Sequence, residues 1–137
     1  MLAVLIARVD RRVWRRARLT IAAWGGLLAF DAARLAGFSR VHDWLRRVQA
    51  APARSDAAAE EVVWAVDEAC VWYFARVACL QRSVVAAWLL RRHGFAAELV
   101  IGCRPFPFES HAWVELDGCV VNDRPQYRTA FTVLDRL

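Results

Sequence analysis

The feature that most constrains the fold is an uninterrupted helical pattern from Val77 to Gly94, which strand-like sequence follows at once. The pattern ends at a glycine, a residue suited to the position just past a helix C-terminus. It therefore predicts that Cys79 lies at or near the first residue of a helix. Free backbone N–H groups and the positive end of the helix dipole favour a thiolate there, and the thiolate is the nucleophilic form of cysteine.

A strand–turn–strand pattern covers residues 110 to 123, with an Asp-Gly pair at the turn. In a two-residue turn made of the Asp-Gly pair, His111 and Asp123 point to opposite faces of the sheet. In a three-residue turn with Gly118 in a left-handed bulge, His111 lies directly opposite Asp123. We predict the bulged register, in which the two side chains meet.

Cys79, His111 and Asp123 together are typical of a cysteine nucleophile, its base and the group that orients the base. The base takes the thiol proton and later gives one to the leaving amine, while the carboxylate holds the imidazole tautomer. Chance occurrence of three such residues is the alternative. Placement at a helix start and on a hairpin favours catalysis.

These residues lie within motifs that resemble the transglutaminase-like cysteine proteases of lasso peptide biosynthesis. The resemblance is close over roughly residues 60 to 125 and looser before them, and Cys103 departs from the small aliphatic residue usual at its position. Its motifs are Cys79-Leu-Gln-Arg-Ser83, Leu89-Leu-Arg-Arg-His-Gly94, Ala97-Glu-Leu-Val-Ile-Gly102, His111-Ala-Trp-Val-Glu115, and Gly118 followed by Asp123.

The resemblance implies a protease that removes the leader from a ribosomally made precursor peptide and so frees the core's N-terminal amine for an ATP-dependent lasso cyclase. It assigns Cys79 as the nucleophile, His111 as the base and Asp123 as the third member of a triad. Some family members are fused to a leader-recognition domain. This chain instead begins with helical sequence, so we expect a stand-alone protease subunit that depends on a separate leader-recognition protein.

Further candidate residues complete the predicted site. Tyr73 and Gln81 are candidates for the second donor to the oxyanion, beside the backbone N–H of Cys79. Phe106 and Phe108 lie in the loop before His111 and are candidates, with Trp113, for contacts to the substrate in a cleft. The alternative for the two Phe residues is a rigid loop that packs on the core, and for Trp113 it is a position within the core.

The order of elements predicts an α+β fold, in which N-terminal helices precede a transglutaminase-like, papain-like core with its catalytic helix packed on a short antiparallel sheet. We expect one domain over residues 1–137, with a helical region at 1–50, a linker from Gln49 to Asp56 and the core at 56–137. Helices are predicted at about 2–18, 20–35, 39–48 capped by Ser39, 56–76 capped by Ser55 or Asp56, and from Cys79. Strands are predicted near 97–103, 110–116 and 119–123, with Pro105 and Pro107 in a loop.

Composition excludes several other classes. Apolar residues make up 58% of the chain and include seven Trp, which suggests a surface that a partner covers. The longest apolar run is too short to span a membrane, and no secretory signal is visible, so we expect a cytoplasmic protein. The cysteines form no zinc motif, and we expect no metal, no cofactor and no disulfide. The basic run Arg11–Arg18 has no nucleic-acid motif beside it, and we expect no nucleic-acid partner.

Two rival functions remain open at this point. Transglutaminases and arylamine acetyltransferases use the same three groups for acyl transfer, and only the products separate an amine acceptor from water. Alternatively, the chain is a non-catalytic peptide-binding or assembly subunit, in which case a Cys79→Ala variant keeps its function.

Overall fold

The computed structural model describes residues 2–52 and 55–137, and their side chains from residue 10 onward, so residues 53 and 54 of the predicted linker lie outside the described residues. The elements in chain order are α1 (Leu2–Leu35), α2 (Phe38–Arg47), α3 (Ala59–Val71), α4 (Cys79–Arg92), β1 (Glu98–Pro105), β2 (Phe108–Leu116), β3 (Cys119–Val120), α5 (Tyr127–Ala130) and β4 (Thr132–Arg136).

The four strands form one antiparallel sheet in the order β3-β2-β1-β4. One face packs its Leu99, Ala112 and Val114 into the main core, which it shares with α1, α3 and α4. The other face carries a smaller cluster built on Trp113 and Phe131. Helices followed by an antiparallel sheet with a helix on one face confirm the α+β prediction.

The helical region differs from the prediction at several ends. The two helices expected at 2–18 and 20–35 are one helix, because Thr20 does not interrupt the turn and the pair Gly25-Gly26 is accommodated within it. Ser39 is not a cap, since α2 begins at Phe38 after Gly37, which has a φ of 113°. The helix predicted at 56–76 is shorter, and its N-cap is Ala58 without a side-chain hydrogen bond, so neither Ser55 nor Asp56 caps it.

α1 buries one face and leaves the opposite face apolar as well. Leu19, Ala23 and Leu27 lie in the core on the buried face. The outward face carries large exposed apolar side chains at seven-residue intervals, namely Trp14, Ile21, Leu28 and Leu35. A surface helix of a globular protein ordinarily carries polar residues there. Within the described residues, no helix has the length and apolar character that crossing a membrane requires.

The C-terminal end of α4 is fixed by Arg91, which is almost fully buried. Its guanidinium donates to the carbonyl oxygens of Leu45, Val48, Ala97 and Leu137 over 2.6–2.9 Å. These carbonyls belong to the end of α2 and its C-cap, to the segment before β1 and to the residue after β4. A buried cation needs such a set of acceptors, and this one ties the end of α4 to three other parts of the fold.

The turn between β2 and β3 has a different register from the predicted one. Leu116 pairs with Cys119, and both Asp117 and Gly118 have positive φ, at 49° and 76°. These angles are those of a two-residue type I′ turn, the preferred turn for an Asp-Gly pair between twisted strands. The predicted three-residue loop with a Gly118 bulge is therefore wrong.

Candidate active site

Cys79 is the first residue of α4, as predicted. The residue before it, Ala78, has extended backbone and offers no side-chain cap. The first N–H groups of an α-helix have no partner within the helix, and here no capping side chain satisfies them. The start of α4 therefore presents free N–H groups around a partly exposed thiol.

Two contacts set the direction of α4 against β2. Near its start, the Ser83 hydroxyl donates to the Ala112 carbonyl oxygen over 2.9 Å. At its end, Arg91 donates to the carbonyl oxygen of Leu137. Leu137 pairs with Leu99 of β1, and Leu99 lies opposite Val114 of β2. α4 and β2 thus run the same way. Cys79, one turn before Ser83 on the same face, therefore lies toward the N-terminal half of β2, which carries His111.

His111 and Asp123 meet despite the register. The His111 Nε2 atom lies 2.9 Å from the Asp123 Oδ2 atom, and both side chains are 15% exposed. β3 ends at Val120, so the chain leaves the sheet and bends before Asp123. This bend brings Asp123 to His111 without the predicted bulge. Asp123 lies outside the strand ladder, so its side chain does not follow the alternation of strand residues between the two faces of the sheet.

Asn122 holds this bend in place. Its Oδ1 atom accepts from the backbone N–H of Val114 over 2.7 Å, and its Nδ2 atom donates to the Ser83 hydroxyl over 3.0 Å. The Ser83 hydroxyl in turn donates a hydrogen bond to the Ala112 carbonyl oxygen. One buried chain of hydrogen bonds therefore joins α4, β2 and the bend. The residue next to Asp123 is therefore fixed by the helix that begins with Cys79.

Trp113 lies beneath His111 rather than in a cleft. Its ring is stacked 6.3 Å from the imidazole, and the residue is 0% exposed. Its indole N–H donates to the buried Glu115 carboxylate over 2.9 Å, and Arg136 donates to the same carboxylate. Burial would raise the pKa of Glu115, but these donors and Arg128 together lower it. Trp113 is therefore packed in the core in this structure, which was the alternative to its predicted contact with the substrate.

The predicted second donors are already occupied. The Tyr73 hydroxyl donates to Asp31 over 2.7 Å, and burial with this contact raises the pKa of Tyr73 to about 12. The Gln81 amide is buried and donates to the Leu27 carbonyl oxygen over 3.2 Å. Both contacts are with α1, so neither side chain points a free donor toward the start of α4 in this arrangement. The free N–H groups of the first turn are the better donors.

Phe106 and Phe108 lie at the tip of the β1–β2 hairpin and are strongly exposed. The loop predicted over 104–110 is shorter than expected, because β1 extends to Pro105 and β2 begins at Phe108. The exposed rings are free to contact a peptide, and that role stays a prediction. His111 follows three residues after the tip.

A cavity of about 280 Å³ opens beside His111. The Tyr127 ring, 4.4 Å from the imidazole, and the Phe131 ring, 5.8 Å from it, form part of the wall. The remaining lining is Arg104, Glu109, Arg124, Gln126 and Ala130. The cavity therefore combines an aromatic wall with charged groups at its edge.

Cys70 is a partly buried thiol near the end of α3. Burial raises the pKa of the Cys70 thiol to about 11, the Asp67 carboxylate adds to this, and the Arg82 guanidinium opposes it. Within the described part of the chain, all four cysteines are free thiols. No three or more His, Cys, Asp or Glu side chains among the described residues are grouped as a metal site.

Sequence reasoning missed several residues of this site. Arg82 and Asn122 stand in the quoted motifs or beside them, and their signal is a polar residue within an otherwise apolar segment. Tyr127 and Phe131 lie beyond the last predicted strand, in a region where no element was expected. Their contact with His111 depends on the fold and has no local signal.

Comparisons with known proteins agree with this geometry. The model of the transglutaminase-like superfamily matches residues 22–136. Over 56 residues the chain is 43% identical to the microcin J25-processing protein McjB of Escherichia coli, a stretch that covers 41% of this chain and 27% of that protein. No solved structure matches the chain significantly. Because the family model covers most of the helices and all of the sheet, the chain belongs to the transglutaminase-like superfamily.

Proposed function

We propose that this protein is a cysteine peptidase that removes the leader from a lasso precursor peptide. The observation that carries the proposal is the 2.9 Å contact between His111 and Asp123 at the edge of the sheet toward which the start of α4, with Cys79, is directed. The partial identity to a microcin-processing protein supports a peptide as the substrate. The roles of the three residues follow from this geometry as parts of the proposal.

The first half-reaction begins with proton transfer. Since the Nε2 atom of His111 is engaged by Asp123, its Nδ1 atom is the one that takes the Cys79 proton. The thiolate attacks the scissile carbonyl carbon, a C–S bond forms, and the carbonyl electron pair moves to oxygen. Free N–H groups in the first turn of α4 hold the oxyanion. When it collapses, the C–N bond breaks and the His111 imidazolium protonates the leaving amine.

The second half-reaction consumes the thioester on Cys79. Water gives a proton to the Nδ1 atom of His111 and attacks the acyl carbon, and the C–S bond then breaks. The sulfur recovers its proton from His111, and the leader leaves as a carboxylic acid. Asp123 keeps the imidazole in one orientation through both halves and stabilises its charged form.

A separate leader-recognition protein is part of the proposal. The outward row of Trp14, Ile21, Leu28 and Leu35 on α1 supports a protein partner, because a surface helix ordinarily carries polar residues on its outward face. An ATP-dependent cyclase that takes over the freed amine is proposed on the family resemblance alone.

The test is mass spectrometry of a lasso precursor peptide incubated with the protein, with and without a recognition protein. Cys79→Ala and His111→Ala are expected to abolish cleavage, and Asp123→Asn to slow it by about 100-fold or more, because the imidazole loses its orienting acceptor. Arg47→Ala is a control, since this exposed arginine at the end of α2 belongs neither to the His111–Asp123 pair nor to the cavity lining. Adding a primary amine separates hydrolysis from acyl transfer by the mass of the leader product.

Cleavage at one leader–core bond that Cys79→Ala abolishes supports the proposal. An intact precursor in the presence of folded protein and bound partner contradicts it and favours a binding subunit. A leader product that carries the added amine favours an acyltransferase.

A further inference from the structure

Arg82 joins the helix of the candidate nucleophile to the carboxylate of the candidate triad. It lies three residues after Cys79, one turn into α4. Its Nη2 atom donates to the Asp123 Oδ2 atom over 2.6 Å, and the same oxygen lies 2.9 Å from the His111 Nε2 atom. One carboxylate oxygen therefore receives both the guanidinium and the imidazole.

The backbone of the sheet does not hold Asp123. β3 ends at Val120, and the other Asp123 oxygen accepts from its neighbour, the backbone N–H of Arg124, over 2.9 Å. Among the described residues, the side-chain contacts that tie this carboxylate to the rest of the fold are those with Arg82 and His111. Arg82 is therefore the partner that ties the carboxylate to α4, while His111 ties it to β2.

A second carboxylate faces the same guanidinium. The Asp67 Oδ1 atom, on α3, lies 3.7 Å from the Arg82 Nη1 atom. Burial raises the pKa of Asp67, the Arg82 charge lowers it, and the Asp123 charge raises it. The Arg82 side chain is 28% exposed, so solvent screens these charges only in part. Without Arg82, two carboxylates face each other across the bend.

We propose that Arg82 is a positioning residue that fixes the Asp123–His111 pair relative to the helix of Cys79. This inference rests on the proposed function, because its main assay measures precursor cleavage. Arg82 acts through the Asp123 carboxylate, which it contacts directly. An ordinary surface ion pair would change stability slightly and leave turnover unchanged, whereas a positioning contact changes turnover only while Asp123 is present.

The experiment is a double-mutant cycle on precursor cleavage with Arg82→Ala, Asp123→Asn and the pair together. Arg82→Ala is expected to lower kcat/KM by about 10–100-fold, mainly through kcat. Loss of a side chain that orients a metal ligand has an effect of this size, and Arg82 orients Asp123 in a comparable way. In the Asp123→Asn background the same change is expected to cost less than about twofold, because the carboxylate on which it acts is gone. Arg82→Lys keeps the charge and is expected to fall between the wild type and Arg82→Ala.

The matched control is Arg92→Ala, which removes an arginine from the other end of α4, where it lies over Trp88. It is expected to leave kcat/KM unchanged. Equal cleavage by wild type and Arg82→Ala overturns the inference, and so does an equal fold-loss in both Asp123 backgrounds. If Arg82→Ala unfolds, the same cycle is run with Arg82→Gln, which keeps much of the side chain but removes the charge, and the same two results are decisive.

Alkylation of Cys79 by iodoacetamide separates this inference from the proposed function, since it needs no peptide. If the wild type cuts no precursor, the proposed function fails, while slower Cys79 alkylation in Arg82→Ala still supports the positioning role. Equal alkylation rates in that case overturn the role. Peptide mapping assigns the label to Cys79 rather than to the other cysteines.

Discussion

Replacing Asn122 with alanine tests how the bend before Asp123 is held. Asn122 is only 5% exposed, and its Oδ1 atom is the acceptor for the Val114 N–H. β3 has already ended there, so a side-chain oxygen stands where the next ladder carbonyl would be. The substitution leaves the Val114 N–H buried without a partner.

The expected magnitude follows from these two contacts. A buried donor without an acceptor costs about 1–3 kcal/mol, and the hydrogen bond from Nδ2 to Ser83 adds about 1 kcal/mol. Asn122→Ala is therefore expected to lower the free energy of unfolding by about 2–4 kcal/mol. Since Asp123 follows directly, precursor cleavage is expected to fall as well.

The assay is urea unfolding followed by far-UV circular dichroism, in which the midpoint shifts while the slope stays unchanged. Gln126→Ala is the control, because it removes an amide side chain from an exposed position four residues later, and its effect is expected to stay within about 0.5 kcal/mol. A loss below about 1 kcal/mol for Asn122→Ala would falsify the reasoning, since Val114 would then have found another acceptor.

Three further outcomes follow from the described contacts. Cys70 is expected to be alkylated slowest of the four cysteines, because a pKa of about 11 leaves roughly 0.1% of it as thiolate at pH 8; labelling as fast as at Cys119, measured by peptide mapping, would contradict this. Glu115→Gln is expected to lower Tm at neutral pH, and the gap to wild type should narrow as pH falls below about 4.5, because a lowered pKa gives stability that is lost in acid; a gap constant from pH 7 to pH 3 would refute the assignment. Gly102→Ala is expected to cost about 1–3 kcal/mol in thermal unfolding, since its Cβ would lie 2.9 Å from a Trp113 ring atom and 3.1 Å from the Thr132 carbonyl oxygen; an unchanged Tm would mean that the sheet relaxes around it.

Local patterns predicted the parts of the fold that depend on neighbours in sequence. The Cys79 helix was located from its periodicity and the glycine after it, and the structure begins and ends that helix at the expected residues. The Asp-Gly turn was also located correctly. Its register was wrong because we required His111 and Asp123 to face each other across a ladder that in fact stops at Val120.

Contacts between distant residues could not be predicted in this way. β4 pairs with β1 across roughly thirty residues, and no local periodicity reports such a pairing. The same holds for the Arg82–Asp123 ion pair and for the Tyr127 ring against His111, which both depend on where the chain returns after the bend. The residue types of the candidate triad were visible in the sequence, while the groups that hold them in place required the fold.

Two polar anchors fix α4 against the sheet. A helix of 14 residues is a rod about 20 Å long. Ser83 ties its beginning to β2, and Arg91 ties its end to Ala97 and Leu137. Sliding or hinging of this rod on the sheet would break buried hydrogen bonds at both ends at once. Helix and sheet are therefore expected to stay together, and under the proposed function any adjustment to different peptides falls to the exposed hairpin tip or the segment before Cys79.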